Sequence, residues 1–463
     1  MKKITFCLVI SLAVAALMAT PLTLRQCRDK ALLHNRQLKA SRQEVLAQES
    51  NRKSAFTHFL PRISATGMYQ QMNNSFEYKT PDLALPVADA QGNIIIVTDE
   101  TGNPVLDANG NPIVENWALL PSRKLTVGNT HNYGAAITVT QPLFTGGKVL
   151  EQYNISRYEK AIAQQAMELT RQEVLYQTDQ HYWQVVSLKE KVRLATQYKA
   201  TVQAHLEDLQ NYRDEGFITD NDLLKAQVKL EQANLKVLQA ANGQALASMA
   251  LNQLIGNDLH ASIEVQDSLN TDWEMQEKSI NEKSRPELAM LESGIRIAQS
   301  MQRANLGRYL PNLAFEGSYV WANPNPYNSL EKEFGSDWTI GVVAEWDIFH
   351  WNERGFDAAT LSHKKRALEH RISETDELTD LEIQQARQRL DEAEQSVASA
   401  KKAVEQASRN LAMYQDRFAE GLATSSDVLD AQTLWLDTNS SLIDAQTQLQ
   451  LQHTALAKAL GTL

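Results

Sequence analysis

Glu215-Gly216-Phe217-Ile218-Thr219-Asp220-Asn221-Asp222 recurs 205 positions further on as Glu420-Gly421-Leu422-Ala423-Thr424-Ser425-Ser426-Asp427. Each stretch is a complete turn between two helices. The glycine ends the incoming helix, because a left-handed cap suits a residue without a Cβ. Thr219 or Thr424 then caps the outgoing helix, with Asp222 or Asp427 three residues later at its positive end. Two helical hairpins with tight tips follow from these sixteen residues.

Outward from the tips the duplication holds without a gap, from the Pro142/Asp347 pair to the Gly256/Gly461 pair. Glycine- and proline-free runs lead into both tips, Lys148 to Glu215 and Phe356 to Glu420. At about 1.5 Å per residue each makes a helix of roughly 100 Å. Val174, Thr178, His181, Val185, Leu188, Val192, Ala195, Lys199, Val202, Leu206 and Leu209 follow strict 4,3 spacing. Leu390, Ala393, Val397, Ala400, Val404, Ala407, Leu411 and Tyr414 repeat that phase in the second run. A seven-residue apolar repeat specifies coiled-coil packing with a left-handed twist.

Ahead of each long run lies a leucine-proline step, Leu60-Pro61 or Leu310-Pro311, and then period-two alternation. Leu313, Phe315, Gly317, Tyr319 and Trp321 share one strand face, and Trp338, Ile340, Val342, Ala344 and Trp346 share one on the return strand. Thr339, Gly341, Val343, Glu345 and Asp347 take the opposite face. The first repeat supplies Ile63, Ala65, Gly67 and Tyr69, then Tyr133, Ala135, Ile137 and Val139. Apolar-out, acid-in strands with tryptophans at Trp321, Trp338, Trp346 and Trp351 fit a transmembrane barrel with interfacial aromatics. Four strands per chain cannot close, and an open edge is not tolerated in lipid. The chain must therefore build its barrel with copies of itself; eight, twelve and sixteen strands all satisfy closure.

Composition narrows the class. Residues 1–20 read as a secretory signal, with Lys2 and Lys3 ahead of an apolar run. Cys27 is then the one mature cysteine, so no internal disulfide forms. The net charge of -11 argues against nucleic acid as a partner. Residues 21–256 form the first repeat, with strands at about 61–72 and 132–142 and a helical hairpin over 143–256. An equatorial segment follows at 257–284, where Ile263 and Val265 suggest a short strand. The second repeat fills 285–463: a helix at 285–309, strands at about 311–322 and 337–347, and a hairpin over 348–461. The loop from Asn73 to Asn132 carries three glycine-asparagine steps, at Gly92, Gly102 and Gly110. Asp107-Ala108-Asn109-Gly110-Asn111 lacks the ligand set of a calcium loop and reads as a hairpin turn. Thr145-Gly146-Gly147-Lys148-Val149 lacks the first glycine and the hydroxyl of a phosphate loop. No zinc or nucleophile-elbow motif occurs, so no enzyme activity, metal or cofactor is expected. A coiled-coil envelope stalk or adhesin is the alternative, sharing the helices but not the paired amphipathic hairpins.

The ordered set of motifs resembles the outer-membrane efflux protein family, the TolC-like outer membrane factors. Leu22-Thr23-Leu24-Arg25 with Ala31-Leu32 and Asn35 is similar to its opening, and the two leucine-proline steps to its strand starts. Gln141-Pro142-Leu143-Phe144 with Gly146-Gly147-Lys148, and Trp346-Asp347-Ile348-Phe349, resemble its strand-to-helix junctions; Gly421 through Gln432 resembles its second tip. The resemblance implies a mainly α fold in which three protomers close a twelve-stranded barrel in the outer membrane, continued by a helical tunnel. It implies a homotrimer docked by a periplasmic adaptor protein and an inner-membrane transporter at the tips, here Gly216, Thr219, Gly421, Thr424 and Ser425. The tunnel's narrow end would be ringed by Asp427 and Asp430, with Asp222 tying the closed entrance; its usual tyrosine partner falls at Phe418. The family pattern also carries a longer C-terminus, and the belt is expected to be thinner here, where the sequence stops at Leu463.

Overall fold

The computed structural model describes residues 21–72, 76–127, 130–216, 218–269, 285–326 and 333–463. The signal segment and most of the 257–284 segment therefore lie outside the described residues. Contacts divide the chain into two compact units, one helical and one built on strands.

The helical unit takes in residues up to Ala55, Leu150–Arg303 and Gly355–Leu463. Its helices are α1 (Leu24–His34), α2 (Arg36–Thr57), α3 (Lys148–Asp214), α4 (Asp220–Ile255), α5 (Pro286–Leu306), α6 (Glu353–Ala419) and α7 (Ser425–Ala459). The duplication is kept to the residue: α3 and α6 are each 67 residues long and start and stop 205 positions apart. The rising helix begins at Lys148 and not near Leu143, because the preceding strand runs on to Phe144 and Gly146-Gly147 make the corner. In the second repeat the helix begins three residues ahead of its glycine-free run and takes in Gly355.

Burial follows the heptad reading on α6, where Ile383, Ala386, Ala393, Val397, Ala407 and Leu411 make one narrow row. On α3 the buried face is wider. Leu175, Asp179, Tyr182 and Val186 form a row on one flank of the expected one, and Leu194, Tyr198 and His205 are buried on its other flank. The cause is a second neighbour. Leu194, Tyr198 and Val202 pack with Ala233 of α4 and also with Leu436 of α7, and nearer the tips Leu206 and Leu209 pack with Ala226 and Leu429. Returning helices of both repeats thus flank α3, and a helix with two neighbours needs two seams.

The N-terminal segment is tied to α3 by polar groups. Leu22 forms a parallel bridge with Val265, at the place where a short strand is expected. Tyr182 donates to Leu22 O at 2.9 Å and Asp267 Oδ2 at 2.7 Å. Asp179, wholly buried, accepts from Arg28 Nε at 2.7 Å and from Thr454 of α7 at 3.1 Å. Burial pushes its carboxyl above the ordinary aspartate range, and Arg28 and Thr454 offset only part of that rise.

The strand-bearing unit comprises Phe56–Val149 and Ala304–Arg354. Its strands are β1 (Arg62–Gln71), β2 (Phe76–Lys79), β3 (Leu83–Pro86), β4 (Trp117–Leu120), β5 (Lys124–Val127), β6 (His131–Phe144), β7 (Asn312–Asn323) and β8 (Gly335–Glu345). The main sheet is antiparallel in the order β1-β6-β7-β8. The long loop is not irregular: β2 pairs with β5 and β3 with β4, extending the hairpin. Beyond them Asp89, Asp99 and Asp107 open three identical turns, each accepting backbone N–H groups two and four residues on. The Asp107 carboxylate is thus committed to its own turn. Among the described residues no helix is long and apolar enough to cross a membrane.

Candidate functional site

Pairing across the four-stranded sheet fixes which residues share a face, because directly opposed side chains point the same way. Ile63, Val139, Gly317 and Ile340 stand in one row, and Ala65, Ile137, Tyr319 and Trp338 in the next. The intervening rows are Arg62, Thr140, Glu316 and Gly341, then Ser64, Thr138, Ser318 and Thr339. One face is therefore apolar and the other polar across all four strands, and the Ser318 and Thr339 hydroxyls are 2.7 Å apart. Ile63, Ile137, Tyr319, Trp338 and Ile340 are all exposed. Among the described residues of a single chain, nothing pairs with the edges β1 and β8, and the apolar face is exposed.

Aromatic residues gather toward the loop end of the sheet. Trp321 stacks on Phe334 at 4.2 Å, and Tyr69 and Tyr133 lie 5.2 Å apart. Trp338 stands opposite Tyr319. Trp346 was expected to end the return strand, but β8 stops at Glu345. The chain turns there so that Trp346 Nε1 reaches Tyr309 O at 3.2 Å and Arg354 pairs with Asp347. Trp351 is 83% exposed and packs edge-on against Phe349. The sequence places Tyr69 and Tyr133 on the apolar strand face without assigning them to the interfacial aromatics, and it gives no sign of Phe334.

At the hairpin tips, Gly216 and Gly421 hold φ values of 80° and 70°. Thr219 caps α4 and Thr424 caps α7. Asp222 accepts from the Thr219 hydroxyl at 2.7 Å and lies 3.8 Å from Lys225. Asp427 completes a capping box, accepting from Thr424 N at 2.8 Å and its hydroxyl at 2.6 Å. Those hydrogen bonds hold the Asp427 carboxyl below the usual aspartate range. Asp430 is exposed one turn further along α7, and three-residue spacing puts it on the same helix face. Gly216, Thr219, Gly421 and Thr424 are exposed, whereas Ser425 is buried, its hydroxyl 3.1 Å from His205 Nε2.

His205 is the residue the sequence reading passed over, since it stands one position before the heptad member Leu206. Phe418 lies edge-on to His205 at 5.0 Å and to Tyr212 at 5.6 Å. Phe418 is thus seated on α3.

A model of the outer membrane efflux protein family matches residues 27–257 and 280–462. The chain belongs to this family. Membership places it in the outer membrane of a Gram-negative envelope. The alkaline protease secretion protein AprF of Pseudomonas aeruginosa is 22% identical over 324 residues, which are 65% of this chain. The matched stretch spans 64% of that relative's length. The outer membrane protein VceC of Vibrio cholerae has a similar structure, with a TM-score of 0.71 at 15% identity, over 95% of this chain and 96% of that one. The Campylobacter jejuni CmeC outer membrane channel gives 0.71 at 17% identity, covering 95% and 85%. The fold is the mainly helical, strand-bearing fold of these efflux proteins.

Proposed function

We propose that three copies of this chain close one twelve-stranded barrel and form a passive export channel. The observation that carries the reading is the four-stranded sheet, amphipathic across its whole width and open at both edges. In lipid an unpaired strand edge strands its N–H and C=O groups, so β1 must meet β8 of another copy. The apolar face then meets lipid and the polar face lines the lumen, with Trp321, Trp338, Trp346 and Trp351 anchoring at the interfaces.

The helices supply a second reason for self-association. Leu224, Val228, Leu235 and Leu238 keep heptad spacing along α4 and are all more than half exposed. An uncovered seam of this kind suits a helix of a neighbouring protomer. The two hairpins per chain make the trimer approximately sixfold. Asp427 and Asp430 would ring its narrow end with carboxylates, favouring cations. Asp222, at the equivalent place on α4, would hold the closed entrance. The exposed tip residues Gly216, Thr219, Gly421 and Thr424 would meet a periplasmic adaptor. An inner-membrane transporter would supply the driving force and choose the substrate.

Purified protein in a planar lipid bilayer tests the reading. Stepwise ion conductance is expected; silence across voltages, with insertion confirmed, would leave a coiled-coil stalk or adhesin.

A further inference from the structure

We propose that His205 is a positioning residue, a proton-sensitive latch that seats the second tip, and with it the start of α7, against α3. The inference deepens the gate reading above, since Asp427 and Asp430 stand on the first turns of the helix being held. Two contacts make the latch. His205 Nε2 lies 3.1 Å from the Ser425 hydroxyl, on the first residue of α7. Its ring also packs edge-on to Phe418, near the end of α6, and Phe418 in turn packs on Tyr212 of α3. One imidazole therefore touches the helix on either side of the Gly421 turn.

The site is closed to water. His205 is 6% exposed and Ser425 4%, and Leu206, Leu209, Ala226 and Leu429 form the adjoining core, with Phe418 against it. Burial pushes the His205 ring below the ordinary histidine range, outweighing the pull of Asp208 on its own helix and of a Ser425 backbone hydrogen bond. From α6 the group facing the ring is Phe418 and from α7 it is Ser425; neither ionises. Asp208 is the charged group that acts on it.

At neutral pH the ring is uncharged, as the apolar packing requires. A proton adds a charge where, among the described residues, no carboxylate is hydrogen-bonded to the ring, and burying an unpaired charge is costly. The sign follows from linkage: with the folded value depressed, the released tip binds protons more readily than the seated one. The latch is therefore complete above the ordinary histidine pKa and weakens as pH falls below it. The ratio of released to seated tip rises up to about tenfold per unit of pH across that window. Asp427 is held below the ordinary aspartate range by its Thr424 hydrogen bonds and stays outside that window.

The test uses the full-length chain and two readouts. A nitroxide pair on Asp214→Cys and Leu422→Cys, both at exposed positions, reports the separation of tip and α3 directly; buried Cys27 does not label. Between about pH 7.5 and about pH 5, which bracket the histidine range, the distance distribution is expected to broaden and lengthen. His205→Gln keeps a hydrogen-bonding group near Ser425 but cannot titrate, and its distribution is expected to stay fixed. Bilayer conductance is measured on the same proteins, and it should rise with acid in the wild type alone. An acid response equal in H205Q and wild type, or none in either, overturns the latch. A distance change in wild type without conduction at any pH keeps the latch and removes the channel reading; conduction with no His205-dependent response does the reverse.

Discussion

Asp427 and Asp430 share a helix face, yet only one has a free carboxylate. Asp427 is committed to the Thr424 capping box, whereas Asp430 has no such partner among the described residues. Asp430→Ala is therefore expected to weaken divalent-cation block of the channel while leaving the α7 terminus intact. Asp427→Ala should weaken block and also fray the first turn, and loss of a good cap costs about 1 kcal/mol. Current titration with a divalent cation and amide exchange at Val428 separate the two effects. The pH dependence has a definite sign. Because the folded Asp427 value is depressed, its capping contribution is complete above the ordinary aspartate pKa of about 3.9 and is lost as pH falls below it. Equal block and equal exchange in both variants would contradict this division of labour.

Among the elements, the junction between β6 and α3 is set by two glycines and tolerates little. Gly146 and Gly307 approach so closely that a Cβ on either would overlap the backbone carbonyl of the other, and Gly146 also has a φ of 62°. Gly307→Ala needs no unusual φ, so its effect isolates the steric approach. Backbone must move, and overpacking of this kind costs about 1–3 kcal/mol. A lowered thermal midpoint with unchanged helix content is the expected outcome; a wild-type midpoint would mean that the corner relaxes freely. The sequence announced this corner as Gly146-Gly147 but gave no hint of Gly307, because the partner is distant in the chain and marked by no motif. The same limit explains the rest. The tips and the alternating strands were legible because their signals are local: a glycine, a cap, a period of two. The wider burial of α3 was not, since Tyr182 becomes buried when the N-terminal segment and α4 pack on it, and Tyr198 and His205 when α7 packs beside them. Their counterparts at the 205-residue offset are Arg387, Ala403 and Asn410. That difference in chemistry was available in the sequence as an asymmetry between the repeats, and it marks which of the two long helices has neighbours on both sides within one chain.

Across the whole molecule, assembly and folding can be separated experimentally because the surfaces they use are different. The core of a single chain rests on α3, where Tyr182, Tyr198, Val202 and Leu209 are buried without help from another copy. The α4 stripe contributes nothing to that core: Leu235 and Leu238 are 53% and 57% exposed. Replacing both with glutamate should therefore leave helix content close to wild type, since glutamate is a good helix former and no buried contact is lost. In the assembly those positions would meet apolar side chains of a neighbour, and two charges placed in such a seam would have to be buried unpaired. The double variant is expected to migrate as a monomer in mild detergent and to conduct no current, while its circular dichroism keeps the helical signal. Trimers of normal stability from L235E/L238E would show that the α4 seam faces solvent in the assembly. Protomer association would then rest on the strand edges of β1 and β8 alone.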